Sequence, residues 1–180
     1  TIKALVLTAK IFSQFDQKKL RRFSLDGLWH HSMLTGTFAK LVAQMESQTK
    51  EIIDDAYMVG LLHDLGKLVL AQNLTDEYQE ALTEALNTNR CIWEVEYEQF
   101  GTSHAEMAAY LMGLWGLKYP IVEGIAFHHH PGKRGTQMGV LAAVHSANGL
   151  AYGVEENETQ NIPRVDADYL ADMDMRERFP

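Results

Sequence analysis

The chain has 180 residues, 46% of them hydrophobic and 22% charged, so it is long enough for one globular domain with a buried core. Its formal net charge of −8 argues against a broad nucleic-acid-binding face. No apolar run approaches the roughly 20 residues of a membrane-spanning helix. The single cysteine, Cys91, excludes an internal disulfide and fits a reducing compartment, so we expect a cytoplasmic protein.

Apolar residues recur at spacings of three and four along most of the chain, a pattern typical of amphipathic helices. It predicts helices over residues 2–15, 25–45, 50–65, 76–86, 91–99, 103–115, 120–130 and 137–151, with a surface helix over 168–177. Asp76 with Gln79, and Ser103 with Glu106, have the spacing of capping boxes. No segment shows sustained strand alternation, so the sequence predicts an all-α fold.

The stretch 57–70 places a histidine and a carboxylate, His63 and Asp64, next to each other among apolar residues. Burying either group costs several kcal/mol unless another group compensates for it. Gly66 fits the position just after a helix end, which predicts that the pair lies in the last turn of a helix. An isolated pair of this kind is more often a core histidine beside a solvated aspartate than a metal site.

Other histidines lie where they could join this pair. His31 falls on the inward face of its predicted helix, and His104 falls in the first turn of another. The triplet 128–130 lies at a helix end, because Pro131 disfavours helical geometry at the residue before it. Imidazoles and carboxylates suit Zn, Mn, Fe or Ni. Spacing alone leaves two alternatives open, a metal site or a set of unrelated core and surface histidines.

Several separated motifs keep an order that resembles the HD superfamily, and most closely its HDOD branch, the HD-related output domains of bacterial signalling proteins. The motifs are Trp29-His30-His31-Ser32, Gly60 to Leu70, Phe100 to Glu106, Leu114 to Leu117, His128-His129 with Pro131, and Val144 to Asn148. The resemblance implies an HD-like helical bundle over residues 1–152, with 153–180 as an acidic C-terminal extension. HDOD domains usually carry a further N-terminal helical portion, which we expect this chain to lack.

The resemblance also implies a set of metal ligands, carried over position by position from HD phosphohydrolases: His31, His63, Asp64, His104, His128 and His129. The late aspartate of the pattern falls at Asn148, and the Gly-Tyr-Pro of HD-GYP phosphodiesterases is absent after the histidine triplet. With Asp64 as the only obvious anion, we expect one divalent transition metal (Fe, Mn, Zn or Ni) or none, rather than two. Asp64 and Lys67 are the catalytic residues if hydrolysis survives; a structural partner for Asp64 is the alternative role for Lys67.

Two functions follow from the resemblance. The first is a regulatory output module that acts through protein contacts, either with a signalling partner or with a fused sensory or receiver domain. The alternative is a metal-dependent phosphohydrolase acting on a nucleotide or cyclic dinucleotide, and the missing carboxylate at Asn148 favours the first. His30 and His145 are predicted to be surface or packing residues, and the three tryptophans to be core or interface residues.

Overall fold

The structure, a computed structural model, describes residues 2–15, 20, 23–134, 138–154 and 165–172, and these ranges contain helices and no strands. The all-α prediction is therefore confirmed. The helices are α1 (Ile2–Phe12), α2 (Leu25–Met45), α3 (Lys50–Leu62), α4 (Leu65–Asn73), α5 (Thr75–Thr88), α6 (Ile92–Phe100), α7 (His104–Leu114), α8 (Tyr119–Phe127), α9 (Val140–Val154) and α10 (Ala167–Asp172), with a 3₁₀ turn at Pro131–Arg134.

Local signals define several helix ends. Ser103 and Glu106 form the predicted capping box at the start of α7. Gly101 and Gly116 adopt φ values of 71° and 76°, the left-handed conformation in which glycine carries no steric penalty. The capping box predicted at Asp76 is wrong, because α5 begins one residue earlier and has no side-chain cap.

The predicted geometry of the His63–Asp64 pair also needs correction. Helix α3 ends at Leu62, and a new helix, α4, begins at Leu65, so the pair forms the junction between two helices. Gly66 lies inside α4, and a Cβ atom built there would overlap the carbonyl oxygen of His104. The sequence therefore needs glycine at this position for the close approach of α4 to α7, not for a helix end.

Helix α2 packs most extensively against α3 and α9, while α4 packs against α7, and α7 against α8. The crossing of α2 and α3 is close: a Cβ atom on Gly60 would lie 2.6 Å from the Cα atom of Gly36. This contact brings the inward face of α2, which carries His31, against the C-terminal end of α3. The helix packing thus positions residues from distant parts of the chain around the α3–α4 junction.

The C-terminal helices belong to the same hydrophobic core. Helix α9 buries most of its side chains against α2, α3 and α8. Helix α10 buries Tyr169 and Leu170 in the core, so the described part of the predicted 168–177 helix is not purely a surface element, and residues 173–177 lie outside the described ranges. Trp29 and Trp93 are partly buried, whereas Trp115 is exposed. Across the described ranges, helix length and apolarity fall short of what a bilayer span requires.

Candidate metal centre

The structure brings together all six ligand-type side chains that the resemblance predicts. They come from α2, the α3–α4 junction, the start of α7 and the end of α8, and they are His31, His63, Asp64, His104, His128 and His129. Asp64 lies at the centre and is 1% exposed. The cluster therefore surrounds one buried carboxylate, and each of its two oxygens faces a different set of groups.

The first carboxylate oxygen, Oδ1 of Asp64, faces the histidines of α7 and α8. It lies 3.2 Å from Nε2 of His104 and 3.8 Å from Nε2 of His128. His129 completes this half, because its Nε2 atom shares a hydrogen bond of 2.9 Å with Nε2 of His104. The potential ligand atoms of these four residues all lie within 4.8 Å of one another.

The second carboxylate oxygen, Oδ2 of Asp64, faces α2 and α4. It lies 3.5 Å from Nε2 of His63 and 3.8 Å from Nε2 of His31. The ammonium nitrogen of Lys67 approaches the same oxygen at 2.6 Å and lies 3.4 Å from the hydroxyl of Tyr152. The two halves therefore differ in that, among the described residues, this one contains a lysine ammonium group.

Three buried atoms of the cluster have no hydrogen-bond partner among the described residues: Nε2 of His63, Nε2 of His128 and Oδ1 of Asp64. A buried polar atom without a partner is costly, so such atoms indicate that another group is expected at the site. In His63 and His128 the opposite ring nitrogen donates to a backbone carbonyl, of Gly60 and Ile125 respectively. In neutral rings this leaves the Nε2 lone pairs directed into the cluster, as in metal-binding histidines. These residues fit a divalent metal.

Glu96 on α6 supports His104 and was missed by the sequence analysis. Its Oε2 atom accepts hydrogen bonds of 2.7 Å from both the backbone N–H and Nδ1 of His104, and Oε1 accepts one of 2.9 Å from the Tyr78 hydroxyl. A carboxylate behind a histidine fixes the tautomer and ring orientation of a metal ligand. Glutamate on a short amphipathic helix is indistinguishable by spacing from a solvated residue, so the sequence carried no signal for this role.

Asn148, the residue that the resemblance matched to the late aspartate of the HD pattern, lies within the cluster. Its side-chain oxygen accepts a hydrogen bond of 2.9 Å from Nε2 of His31. The amide is neutral, and Nε2 is the nitrogen that His31 turns toward Asp64. The substitution therefore removes a negative charge and also engages a histidine nitrogen that would otherwise face the carboxylate.

Neighbouring charges set the protonation states. Burial alone would raise the pKa of Asp64, but His63 and Lys67 outweigh it and hold that pKa well below its usual range. Burial lowers the pKa of Lys67, yet the attraction of Asp64 prevails and raises it above its ordinary value. Burial lowers the pKa of His63 to about 4. The aspartate is therefore anionic, Lys67 cationic and His63 neutral near neutral pH.

Burial and neighbouring charges also shift the pKa values of His104, His128 and His129. Burial and the neighbouring histidines hold the pKa values of His128 and His129 well below their usual range. For His104 burial also favours the neutral form, but the charge of Glu96 outweighs it and raises the pKa. Where His104 is protonated, metal binding at its Nε2 atom releases that proton, as is general for protonated metal ligands.

A cleft of about 520 Å³ leads from the surface to the Oδ2 side of the cluster. His31, Asp64, Lys67 and Tyr152 form its polar end, and apolar side chains of α2, α5 and α6 form much of its walls. The cleft is large enough for a small ligand.

The other two histidines weighed in the sequence analysis differ from each other. His30 is exposed. His145 is buried and acts in packing: its Nδ1 atom donates to the backbone carbonyl of His128, and its Nε2 atom accepts from the backbone N–H of Asp166. His145 therefore connects the end of α8 to the segment that leads into α10.

Comparisons with known proteins agree with this architecture. An uncharacterized protein from Treponema pallidum (strain Nichols) is 33% identical over 107 residues, which are 57% of this chain and 20% of that protein. An HDOD domain protein of unknown function from Geobacter sulfurreducens shares the fold, with a TM-score of 0.76, 21% identity and coverage of 92% of this chain and 56% of that chain. A protein from Shewanella amazonensis SB2B, provisionally named a phosphohydrolase, has a TM-score of 0.74, 19% identity and coverage of 98% and 62%.

The chain thus spans less than two thirds of the length of each of these relatives. The two solved structures are under 25% identical and establish the fold. The sequence profile of the HDOD domain matches residues 1–131, which is well over half of the chain. The chain belongs to the HDOD domain family.

Proposed function

We propose that this chain is a regulatory output module of a bacterial signalling protein. It acts through contacts of its helices with a partner protein, or with a sensory or receiver domain of the same protein. Membership of the HDOD family supports a regulatory role. The buried His/Asp cluster then serves the structure of the module and holds metal without turning over a substrate.

One observation carries this proposal: side chains of the protein already engage the polar groups at the end of the cleft. Asn148 takes the place of a carboxylate and binds Nε2 of His31, and the ammonium of Lys67 binds Oδ2 of Asp64. A bound divalent ion would supply Lewis-acid polarisation of a phosphoryl group and activation of water. Lys67 is unsuited to binding a substrate phosphate, because its charge is neutralised by a carboxylate 2.6 Å away.

Exposed large hydrophobic residues support a role in protein contacts. They lie between the second half of α7 and the start of α8, each is more than half exposed, and they are Tyr110, Leu114, Trp115 and Tyr119. Large exposed apolar side chains near one another are typical of interaction surfaces. Their place beyond the cluster is consistent with a module that works through its surface.

The proposal is tested by measuring hydrolysis of bis(4-nitrophenyl) phosphate, a general phosphodiester, after anaerobic loading with Mn²⁺ or Fe²⁺. We expect the protein to show no rate above that of an Asp64→Asn control. A metal-dependent rate that the Asp64→Asn substitution removes would overturn the regulatory proposal in favour of an enzyme.

A metal-dependent phosphohydrolase acting on a nucleotide or cyclic dinucleotide is the second candidate. Two observations favour it: the cleft reaches the cluster, and buried ligand-type atoms lack partners among the described residues. Asp64 and Lys67 would be its catalytic residues, holding metal and substrate respectively. If the chain is a weakened enzyme, Asn148→Asp should restore or raise the phosphodiesterase rate; a variant as inactive as the parent would count against this candidate.

A further inference from the structure

We propose that the cluster is a one-metal site. Asp64, His104, His128 and His129 bind the ion on the side of Oδ1 of Asp64, which we call the Oδ1 half. The ammonium of Lys67 occupies the opposite side, the Oδ2 half, which also contains His31 and His63. This inference rests on metal binding in the proposed function, but it holds whether the module is regulatory or hydrolytic. It differs from the resemblance-based expectation, in which His31 and His63 are ligands as well.

The geometry of the Oδ1 half suits a single ion. Four ligand atoms placed tetrahedrally about 2.1 Å from a metal lie roughly 3.4 Å from one another. Nε2 of His104 lies 2.9 Å from Nε2 of His129 and 3.2 Å from Oδ1 of Asp64. Oδ1 of Asp64 lies 3.8 Å from Nε2 of His128. These separations bracket the required value, so binding needs only small side-chain shifts.

Hydrogen bonds from the far side of the imidazole rings orient two ligands of the Oδ1 half. Glu96 accepts from Nδ1 of His104, and the carbonyl of Ile125 accepts from Nδ1 of His128. In each ring the Nε2 atom therefore faces the ion position. Oδ1 of Asp64 and Nε2 of His128 have no hydrogen-bond partner among the described residues, which is the arrangement that a metal would satisfy.

In the Oδ2 half, by contrast, a side chain of the protein already occupies the position that an ion would need. The Lys67 nitrogen lies 2.6 Å from Oδ2, on the oxygen that an ion held by His31 and His63 would also have to use. A metal and an ammonium group cannot both occupy that position, and two positive groups so close together repel strongly in a buried site. The side chain is only 10% exposed, so Lys67 is held in place rather than reaching in from solvent.

Asn148 makes His31 unavailable as a metal ligand in the Oδ2 half. If its oxygen faces His31, Nε2 of the histidine must donate its proton; if the amide is turned over, Nε2 accepts from the amide nitrogen. In either orientation the Nε2 lone pair is not available to a metal. His63 is then the one histidine of this half whose Nε2 atom remains without a hydrogen-bond partner among the described residues.

The ligand set defines the class of ion. Three imidazoles and one carboxylate in a compact, buried group suit Zn²⁺ first, with Fe²⁺ or Mn²⁺ as alternatives. Lys67 beside Oδ2 supplies the positive charge that a second ion would otherwise bring. With the carboxylates of Asp64 and Glu96, the ammonium of Lys67 and neutral imidazoles, one dication leaves the cluster with a net charge of +1, and a second would raise it to +3.

The test is metal content per chain, by elemental analysis after loading with Zn²⁺ and removal of excess ion. We expect one equivalent in the protein and in His31→Ala. His129→Ala should bind at least tenfold more weakly; His129 is only partly buried, so the variant should fold, which circular dichroism checks. The double variant Lys67→Met/Asn148→Asp should bind two equivalents, because both obstacles in the Oδ2 half are removed.

Each alternative result has a distinct meaning. Loss of metal in His31→Ala with retention in His129→Ala would place the ion in the Oδ2 half and overturn the inference. Two equivalents in the unaltered protein would show that Lys67 does not exclude a second ion, and none would show that there is no metal site. Because the readout is metal content, these outcomes are separate from the hydrolysis assay that tests the proposed function.

Discussion

At the scale of single residues, Glu96 shows how a buried charge can be held without solvent. It is 0% exposed, yet its two oxygens accept three hydrogen bonds, two from His104 and one from Tyr78. Burial disfavours the carboxylate, but the charge and hydrogen bonds of His104 outweigh that effect and lower the pKa of Glu96. The residue thus joins α6, α5 and α7 behind the cluster.

We expect Glu96→Ala to lower the free energy of unfolding by about 3 kcal/mol or more, because three buried donors would lose their acceptor at roughly 1–3 kcal/mol each. Urea unfolding measures the change. Glu98→Ala on the same helix is the matched control, since Glu98 is exposed and pairs with Arg90 at the surface; it should cost less than about 1 kcal/mol. Equal losses for the two variants would contradict this account of Glu96.

At the residue scale, the sequence predicted which side chains form the cluster but not all of the contacts between them. Histidines on inward helix faces and the resemblance together identified all six side chains of the cluster. The sequence could not reveal that Lys67 binds Asp64 rather than solvent or a ligand, or that Asn148 pairs with His31. The contact between Asn148 and His31 joins α9 to α2, so its geometry depends on packing rather than on spacing along the chain. Lys67 and Asp64 are only three residues apart, and that spacing allowed either of the two roles considered for Lys67.

At the scale of helices, patterning and capping predicted most of the bundle. Helix α2 has the predicted bounds of 25–45, and the capping box of α7 is confirmed. Gly66 predicted a helix end after residue 65, but α3 ends at Leu62, and the new helix α4 that begins at Leu65 was not predicted. A tertiary contact, the close approach of α4 to α7 at Gly66, is the reason why this position needs a residue without a side chain.

Gly66→Ala should therefore destabilise the protein by about 3 kcal/mol or more, because the added Cβ meets the backbone of His104 and α4 must move away from α7. Gly113→Ala is the matched control: nothing lies within 4 Å of its added Cβ, and alanine in a helix should stabilise by up to about 1 kcal/mol. Thermal and urea unfolding of both variants provide the comparison. A neutral Gly66→Ala would mean that the α4–α7 contact is looser than described.

At the scale of the whole molecule, buried neutral histidines make stability depend on pH. Burial lowers the pKa of His63 to about 4 and also lowers the pKa values of His128, His129 and His145. Below an ordinary histidine pKa of about 6.5 the unfolded chain binds more protons than the folded protein. Stability therefore falls as the pH decreases from about 6.5 towards 4; the raised pKa of His104 opposes this in part.

The expected loss is about 1 kcal/mol per fully neutral histidine between pH 7.5 and pH 5.5. Urea unfolding at the two pH values, with chelator present to exclude metal release, measures it. His145→Gln should reduce the pH dependence, because it removes one of the histidines whose pKa burial lowers. A free energy of unfolding that rises on acidification would contradict the neutral state of these histidines.

The family profile ends at residue 131, but the folded unit does not. Helix α9 lies beyond that limit, packs against both α2 and α3, and carries Asn148 and Tyr152 to the cluster. His145, also on α9, forms hydrogen bonds with the backbone carbonyl of His128 and the backbone N–H of Asp166. An expression fragment cut at residue 131 would thus expose one side of the bundle and remove Asn148 from His31 and Tyr152 from Lys67, so a fragment that keeps these contacts and α10 extends through residue 172.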